Sequence, residues 1–258
     1  MQIKCDTHLH TLLSVHAKGT VAQTAAAAAE RGLEAIAITD HCSLKMCHFE
    51  RSVEELLAQQ LPRLSCGVRI YRGAEIDIED YKGHLCFYNI PYDAERSALD
   101  RLLETREVVV ASPHFLPEGR QGSYQEVTDM FLNLIANPHV TTLGHPARIY
   151  QPFDLTAVAL AAAENGTFIE CNNVSLNREE ERETVVQLLL LCKTFGTQIV
   201  VNSDSHAPEN VGSFTEAYRL LQKIDFPEAL IANRSRECFE QALTRQRKLK
   251  APHSPSAS

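Results

Sequence analysis

Seven short runs of strand-forming residues, separated by helical stretches, constrain this chain more than any other feature. They are Ile3–Asp6, Ala35–Thr39, Arg69–Ile76, Val108–Ser112, Val140–Leu143, Thr167–Cys171 and Gln198–Asn202. Several are apolar at successive positions, "VVVA" and "IVV" among them, as expected of strands covered on both faces. Helix signals lie between most of them. Thr20–Arg31 is alanine-rich and followed by Gly32. Ser123–Ala136 opens on Ser123 with Glu126 three residues later, a capping-box pattern. Asp154–Glu164 stops at Asn165-Gly166, and Glu179–Phe195 stops at Gly196. Ser213–Lys223 and Arg236–Arg247 close the series. Such alternation predicts an α/β fold with a mainly parallel sheet and crossover helices. About seven strand–helix units in 258 residues suit a closed or distorted barrel in one domain, 1–247, with a frayed tail over 248–258.

The residues that follow these strands decide between a barrel and an open sheet. After the first come His8, His10 and His16; after the second, Asp40 and His41; at the end of the third, Glu75. His114 follows the fourth, His145 the fifth, and Asp204 and His206 the last. In a parallel barrel all strand C-termini open on one face, so seven of the eleven histidines would meet at one mouth. An open sheet would gather its chemistry at a single switch point instead. In "HLH", His8 and His10 are two apart in an extended segment and project to one side, so both can grip one ion. "DSH" at Asp204–His206 repeats the spacing with a carboxylate.

An isolated HxH carries little weight; the whole set at successive strand ends carries much more. Asp40 aside, nine donors are too many for one tetrahedral ion and suit two or three ions sharing a carboxylate. Imidazole with carboxylate favours Zn, with Mn or Fe as alternatives. His48, His84, His139 and His253 are expected to stay outside the set, and Cys42 and Cys47 to be small buried side chains.

The bulk numbers narrow the function. A net charge of −8 disfavours binding to a nucleic-acid backbone. The longest unbroken apolar run, Ala157–Ala163, is far too short to span a bilayer, so no membrane partner is expected. The N-terminus has no basic stretch leading into an apolar run, and the eight cysteines form no CxxC pair. A cytoplasmic protein with reduced thiols is the expectation. Homo-oligomers are compatible with the sequence.

The quoted motifs, "DTHLHT", "ITDH", "GAEID", "SPH", "GHP" and "NSDSH", resemble in order and interval those of the PHP family, the polymerase and histidinol phosphatase domain. Within it, "SVHAKGT" and "DFPEALIANRS" resemble the small stand-alone bacterial phosphatases of the YcdX type. The resemblance runs from Ile3 to about Asn233 and is weakest over Lys45–Gly67, where substrate selection would lie. It implies a distorted (β/α)7, TIM-like barrel with three divalent ions, usually zinc, at the C-terminal ends of the strands. It also implies the ligand sets. His8, His10, Glu75 and Asp204 would hold one ion, and His16, His41 and His206 a second. His114 and His145 would hold a third, with Glu75 bridging.

Phosphate monoester hydrolysis by a metal-activated hydroxide is the expected reaction, on a small phosphorylated substrate. The catalytic expectation falls on Asp40, as an orienting or proton-shuttling group, and on Asp204 and His206. Arg148 and Lys18 are candidate phosphate contacts. Histidinol phosphate is one candidate substrate. The alternatives are a PHP-type exonuclease or phosphodiesterase and an amidohydrolase-like C–N hydrolase, with a non-catalytic metal-binding module as a third. The second often uses a bridging lysine where this chain has Glu75.

Overall fold

The computed structural model describes residues 1–46 and 49–251. Among the described residues seven parallel strands form the body of the sheet: β1 (Cys5–Leu9), β2 (Ala35–Ile38), β3 (Val68–Asp77), β4 (Val108–Ser112), β5 (Thr142–Leu143), β6 (Phe168–Asn172) and β7 (Ile199–Asn202), and the two-residue strand Leu64–Ser65 pairs antiparallel with β3. Their spatial order is their sequence order, so each crossover carries the chain to the next position. All seven expected strands are present, with ends displaced by a few residues.

The sheet curls into a nearly closed, distorted TIM-like barrel. The seam between β7 and β1 is made largely by side chains. A single bridge links Leu9 with Ser205. Asn233 then takes the place of a ladder, accepting from Val201 N (2.9 Å) and donating to Cys5 O (2.8 Å) and Val201 O (2.7 Å). Asn202 Oδ1 accepts from Thr7 N, and Asp6 accepts from Ser203 N.

Among the described residues eight helices pack around the strands: α1 (Val21–Glu30), α2 (Phe49–Ala58), α3 (Ala98–Leu103), α4 (Tyr124–Ala136), α5 (Leu155–Asn165), α6 (Glu179–Phe195), α7 (Thr215–Lys223) and α8 (Arg236–Lys250). The Ser123–Glu126 capping box forms, and Asp154 caps α5 through Ala157 N. Gly166 and Gly196 end α5 and α6 with φ of +71° and +73°, the left-handed turn that a Cβ disfavours. Two helices were not read from the sequence, α2 and the six-residue α3. The last helix also corrects the expected tail at 248. It runs to Lys250, whose Nζ donates to Asn137 O and Val140 O and pins the final turn.

Side chains two apart on a strand face the same way, and this layers the lumen. Cys5, Ala35, Tyr71, Val108, Phe168 and Val200 form an apolar floor with Phe239, Ala242 and Leu243 of α8. Two or four residues further along the same faces come Glu75 and Glu170, both buried. The strand β2 is interrupted at Thr39–Asp40, then resumes as His41–Cys42, which pairs with Glu75–Ile76 in the same register. Gly73 permits this, because a Cβ there would lie 2.6 Å from Thr39 Cγ2. Among the described residues no helix is long and apolar enough to cross a membrane.

Candidate metal centre

Six strand ends deliver the nine donors to one mouth. β1 has an irregular register between Asp6 and Leu9, which turns His8 into the lumen. His8 therefore lies within the strand rather than just past it. His145 and Asp204 adopt φ of +26° and +52°, a region few side chains occupy and one often found at functional sites. The turn at His145 is close-packed: a Cβ on Gly144 would collide with Ser112 and Val110.

Glu75, fully buried on β3, is the hub. Its Oε1 lies 3.1 Å from His8 Nε2, 2.8 Å from His145 Nε2 and 3.3 Å from His114 Nε2. Its Oε2 lies 3.4 Å from His10 Nε2 and 2.8 Å from His41 Nδ1. Asp204 Oδ1 completes the inner ring, 3.3 Å from His10 Nε2 and 3.7 Å from His8 Nε2. Ligands of a tetrahedral ion at ~2.0–2.1 Å sit about 3.3 Å apart, so this is the spacing of donors around an ion. Further out, the rings of His16, His41 and His206 stand 4.5–5.4 Å apart, with His41 Nε2 and His206 Nε2 at 3.2 Å.

The electrostatics follow from burial against neighbours. Burial alone would raise the Glu75 carboxyl, but His114, His8 and His41 hold it well below the usual carboxylate range. Burial opposes charge on His8 too, yet Glu75, Glu170 and Asp204 around it raise its pKa well above the ordinary imidazole value. His10 is lowered by burial and by His41, and His145 falls to about 4 through burial and the Arg148 charge. Both are neutral imidazoles at pH 7, the form that binds metal.

Three buried atoms at the heart of this cluster, His8 Nε2, His10 Nε2 and Glu75 Oε2, have no hydrogen-bond partner among the described residues. Unpaired buried polar groups cost about 1–3 kcal/mol each, a penalty that bound cations remove. The donor set thus fits divalent metal. Four overlapping triads have donor atoms within 4.8 Å of one another: His8/His10/Asp204, His8/Glu75/His145, His41/Glu75/His114 and His10/His41/His206. His16 is in none of these triads and is exposed, reaching the centre only through its ring contacts.

The groups behind the ligands were mostly missed by sequence reasoning. Glu170 accepts from His8 Nδ1 (2.7 Å), His145 N (2.8 Å) and Asn202 Nδ2 (2.9 Å), aligning one ring and one turn at once. Asp77 sits 2.6 Å from His114 Nδ1 and is tied to Ser43 Oγ. Their signal was present: an acid at alternate positions of a strand whose other residues are apolar, as in "FIECN".

Asp40, expected as an orienting or proton-shuttling group, lies behind the candidate ligands. It is 1% exposed, and Thr11 N, Thr11 Oγ1, Ser14 Oγ and Gln59 Nε2 occupy its oxygens. Ser14 Oγ in turn meets His10 Nδ1 at 3.0 Å and accepts from His41 N. Asp40 therefore holds the ligand-bearing loop from behind and does not face the cleft.

A cleft of about 270 Å³ opens onto the cluster, lined by His16, His41, His114, Asp204 and His206 together with Arg148 and Arg178. Arg148 Nη1 lies 3.5 Å from Asp204 Oδ2, and its buried Nε and Nη2 lack hydrogen-bond partners. Lys18 does not line the cleft; its backbone N–H donates to His206 O at 2.6 Å. His84 pairs with Asp80 and stacks on Tyr88, and His139 is exposed, both outside the centre as expected. Cys42 is buried, while Cys47, His48 and His253 lie outside the described residues.

Fold and site together define a class: parallel barrels whose mouth gathers histidines and carboxylates around a shared buried glutamate. The PHP domain family model matches residues 6–219, and the chain belongs to that family. A protein named "Probable phosphatase" from Acetivibrio thermocellus is 35% identical over 249 residues, covering 96% of this chain and 98% of its own. Another so named, from Shewanella pealeana, is 32% identical and covers 93% and 92%. Among solved structures, the histidinol phosphate phosphatase of Lactococcus lactis subsp. lactis Il1403, complexed with zinc, L-histidinol and phosphate, shares the fold. Its TM-score is 0.58 at 18% identity, over 87% of this chain and 94% of that one.

Proposed function

We propose that this protein is a metal-dependent phosphatase acting on phosphate monoesters. The observation that carries the reading is the convergence of His8, His10, His145, His114 and Asp204 on the buried Glu75, with imidazole nitrogens left unpaired between them. Relatives named probable phosphatases, alike over nearly the whole chain, support it. So does the zinc and phosphate bound by the structural neighbour.

His8, His10, Glu75 and Asp204 would hold one divalent ion, and His16, His41 and His206 a second. His114 and His145 would hold a third with Glu75. When bound, such ions lower the pKa of water toward ~7 and neutralise phosphoryl oxygens, which lets an acidic protein bind an anion. The chain's own groups do the rest. Arg148, at the cleft wall with its buried Nη2 lacking a hydrogen-bond partner among the described residues, binds a phosphoryl oxygen. Glu170 and Asp77 fix the tautomers of His8 and His114 by taking their Nδ1 protons, so Nε2 faces the centre. The narrow cleft admits a small ester.

Hydrolysis of 4-nitrophenyl phosphate, measured with metal content before and after chelation, tests the reading. Activity that falls with the ions and returns on adding zinc is the expected result. Equal rates in stripped and loaded protein would refute it. Histidinol phosphate belongs in the substrate panel.

A further inference from the structure

The cleft carries two guanidinium groups where one phosphoryl group needs one. Arg148 is the inner one, 12% exposed and beside Asp204. Arg178, at the N-cap of α6, is the outer one, 45% exposed and lining the same cleft. Both lean on one carboxylate. Glu181 Oε1 lies 2.9 Å from Arg178 Nη1 and 3.5 Å from Arg148 Nε, and also accepts from Tyr150 OH at 2.8 Å. The Glu181 side chain is fully buried, so it fixes Arg178 from behind and leaves the outer part of the guanidinium open to the cleft. Glu179 and Glu180 follow Arg178 in sequence but neither lines the cleft. Asp204 meets Arg148 at 3.5 Å and Glu181 meets Arg178 through Nη1, so the guanidinium that faces the outer cleft is the 45% exposed Arg178, a planar fork that matches carboxylate and phosphate oxygens.

We infer that Arg178 forms a second oxyanion position, so that the preferred substrate is a small phosphate ester bearing another anionic group on its leaving-group side. This rests on the phosphatase reading for its orientation, with the reacting phosphoryl at the inner end beside Arg148. The fork would accept a carboxylate or a second phosphate.

The test is equilibrium binding to the metal-loaded protein by titration calorimetry, using three unreactive probes: propylphosphonate, 3-phosphonopropionate and propane-1,3-bisphosphonate. The expected result is that the native protein binds one or both anionic-tailed probes roughly tenfold or more tighter than propylphosphonate, as for a charge-assisted bidentate contact. Which of the two is favoured identifies the tail. In Arg178→Gln that ratio falls to near one, and Arg178→Lys retains part of it. Equal affinity for all three probes in the native protein, or an undiminished ratio in Arg178→Gln, overturns the inference. The phosphatase reading fails separately: a protein that shows the preference but hydrolyses no ester keeps the oxyanion position and loses the reaction.

Discussion

At its foot, the barrel lumen is filled by Tyr71, Phe168 and Phe239, and the polar groups around them are paired. Tyr71 OH donates to Glu240, Gln246 Nε2 to Thr141 O and Gly166 O, and Asn233 closes the seam. At its mouth, two to six residues further along the same strand faces, stand Glu75, Glu170 and His41, and buried atoms of His8, His10, Glu75 and His145 lack hydrogen-bond partners among the described residues. Strand alternation is the same at both ends; what differs is whether the lumen's polar groups are satisfied from within the chain. Satisfied polar groups specify a fold. Unsatisfied ones gathered in a single spot cost stability that a ligand restores, and here they mark the site. Substitutions at the foot should therefore cost stability and spare ion binding, and those at the mouth should do the reverse.

The largest contrast comes from Glu75→Gln. It keeps the volume of the hub but removes the charge shared by five imidazoles, so phosphatase activity should fall by about 10³-fold or more, roughly 4 kcal/mol of barrier. Ion content should drop with it while the melting temperature of the metal-free protein changes little. A metal-free Glu75→Gln that unfolds many degrees earlier would show that the hub is structural. At the other end, Phe239→Ala removes a ring that is 1% exposed between Tyr71 and Phe168. Denaturant unfolding should report a loss of about 3–5 kcal/mol, with ion content per folded chain unchanged. Ions lost from the folded variant would break the division of labour.

Much of this was legible in the sequence, for reasons that particular residues make plain. The strands were visible because both faces are buried, as in "VVVA" at Val108–Ala111, and the ligands because a histidine or acid following a strand is a strong exception to an apolar pattern. The helix α3 was not visible: six residues carry less than two turns of periodicity. Glu170 and Asp77 were overlooked because neither shares a motif with its partner. Their partners, His8 and His114, are supplied by strands distant in sequence, so only the register reveals the pairs. Asp40 was legible as a neighbour of the candidate ligands, but sequence gives a residue's position on an element and not which donors reach its carboxylate. Arg178 lies in a loop with no strand end to mark it.

Glu170 sharpens the comparison because it joins the mouth to the seam, aligning His8 and His145 while holding Asn202. Glu170→Gln should weaken ion retention by roughly 10–100-fold, the usual cost of losing a carboxylate behind a metal-binding histidine. Competition with a fluorescent zinc chelator reads this directly. An unchanged affinity would mean that the His8 ring is held by packing alone.

The smallest effect is expected from Lys250→Met, at the foot. At the foot the Lys250 amine is buried among carbonyls, and burial pushes its pKa down to about 7. Between pH 7 and about 10.5 the unfolded chain keeps the lysine proton while the folded chain has lost it, so unfolding takes up a proton in this window. Native stability therefore rises with pH there relative to a variant that cannot titrate. The burden of the buried ammonium is greatest below pH 7 and fades as the pH climbs. Methionine keeps the stem and removes the charge, so its advantage should be largest near pH 6.5. By pH 9.5 it should shrink by about 1 kcal/mol or more, within the limit of ~1.4 kcal/mol per pH unit for one proton. Melting temperatures of native protein and variant at matched pH measure the difference. A gap that stays constant from pH 6.5 to 9.5 would mean the Lys250 amine keeps its proton, and that the foot of the lumen, like the mouth, tolerates a buried charge.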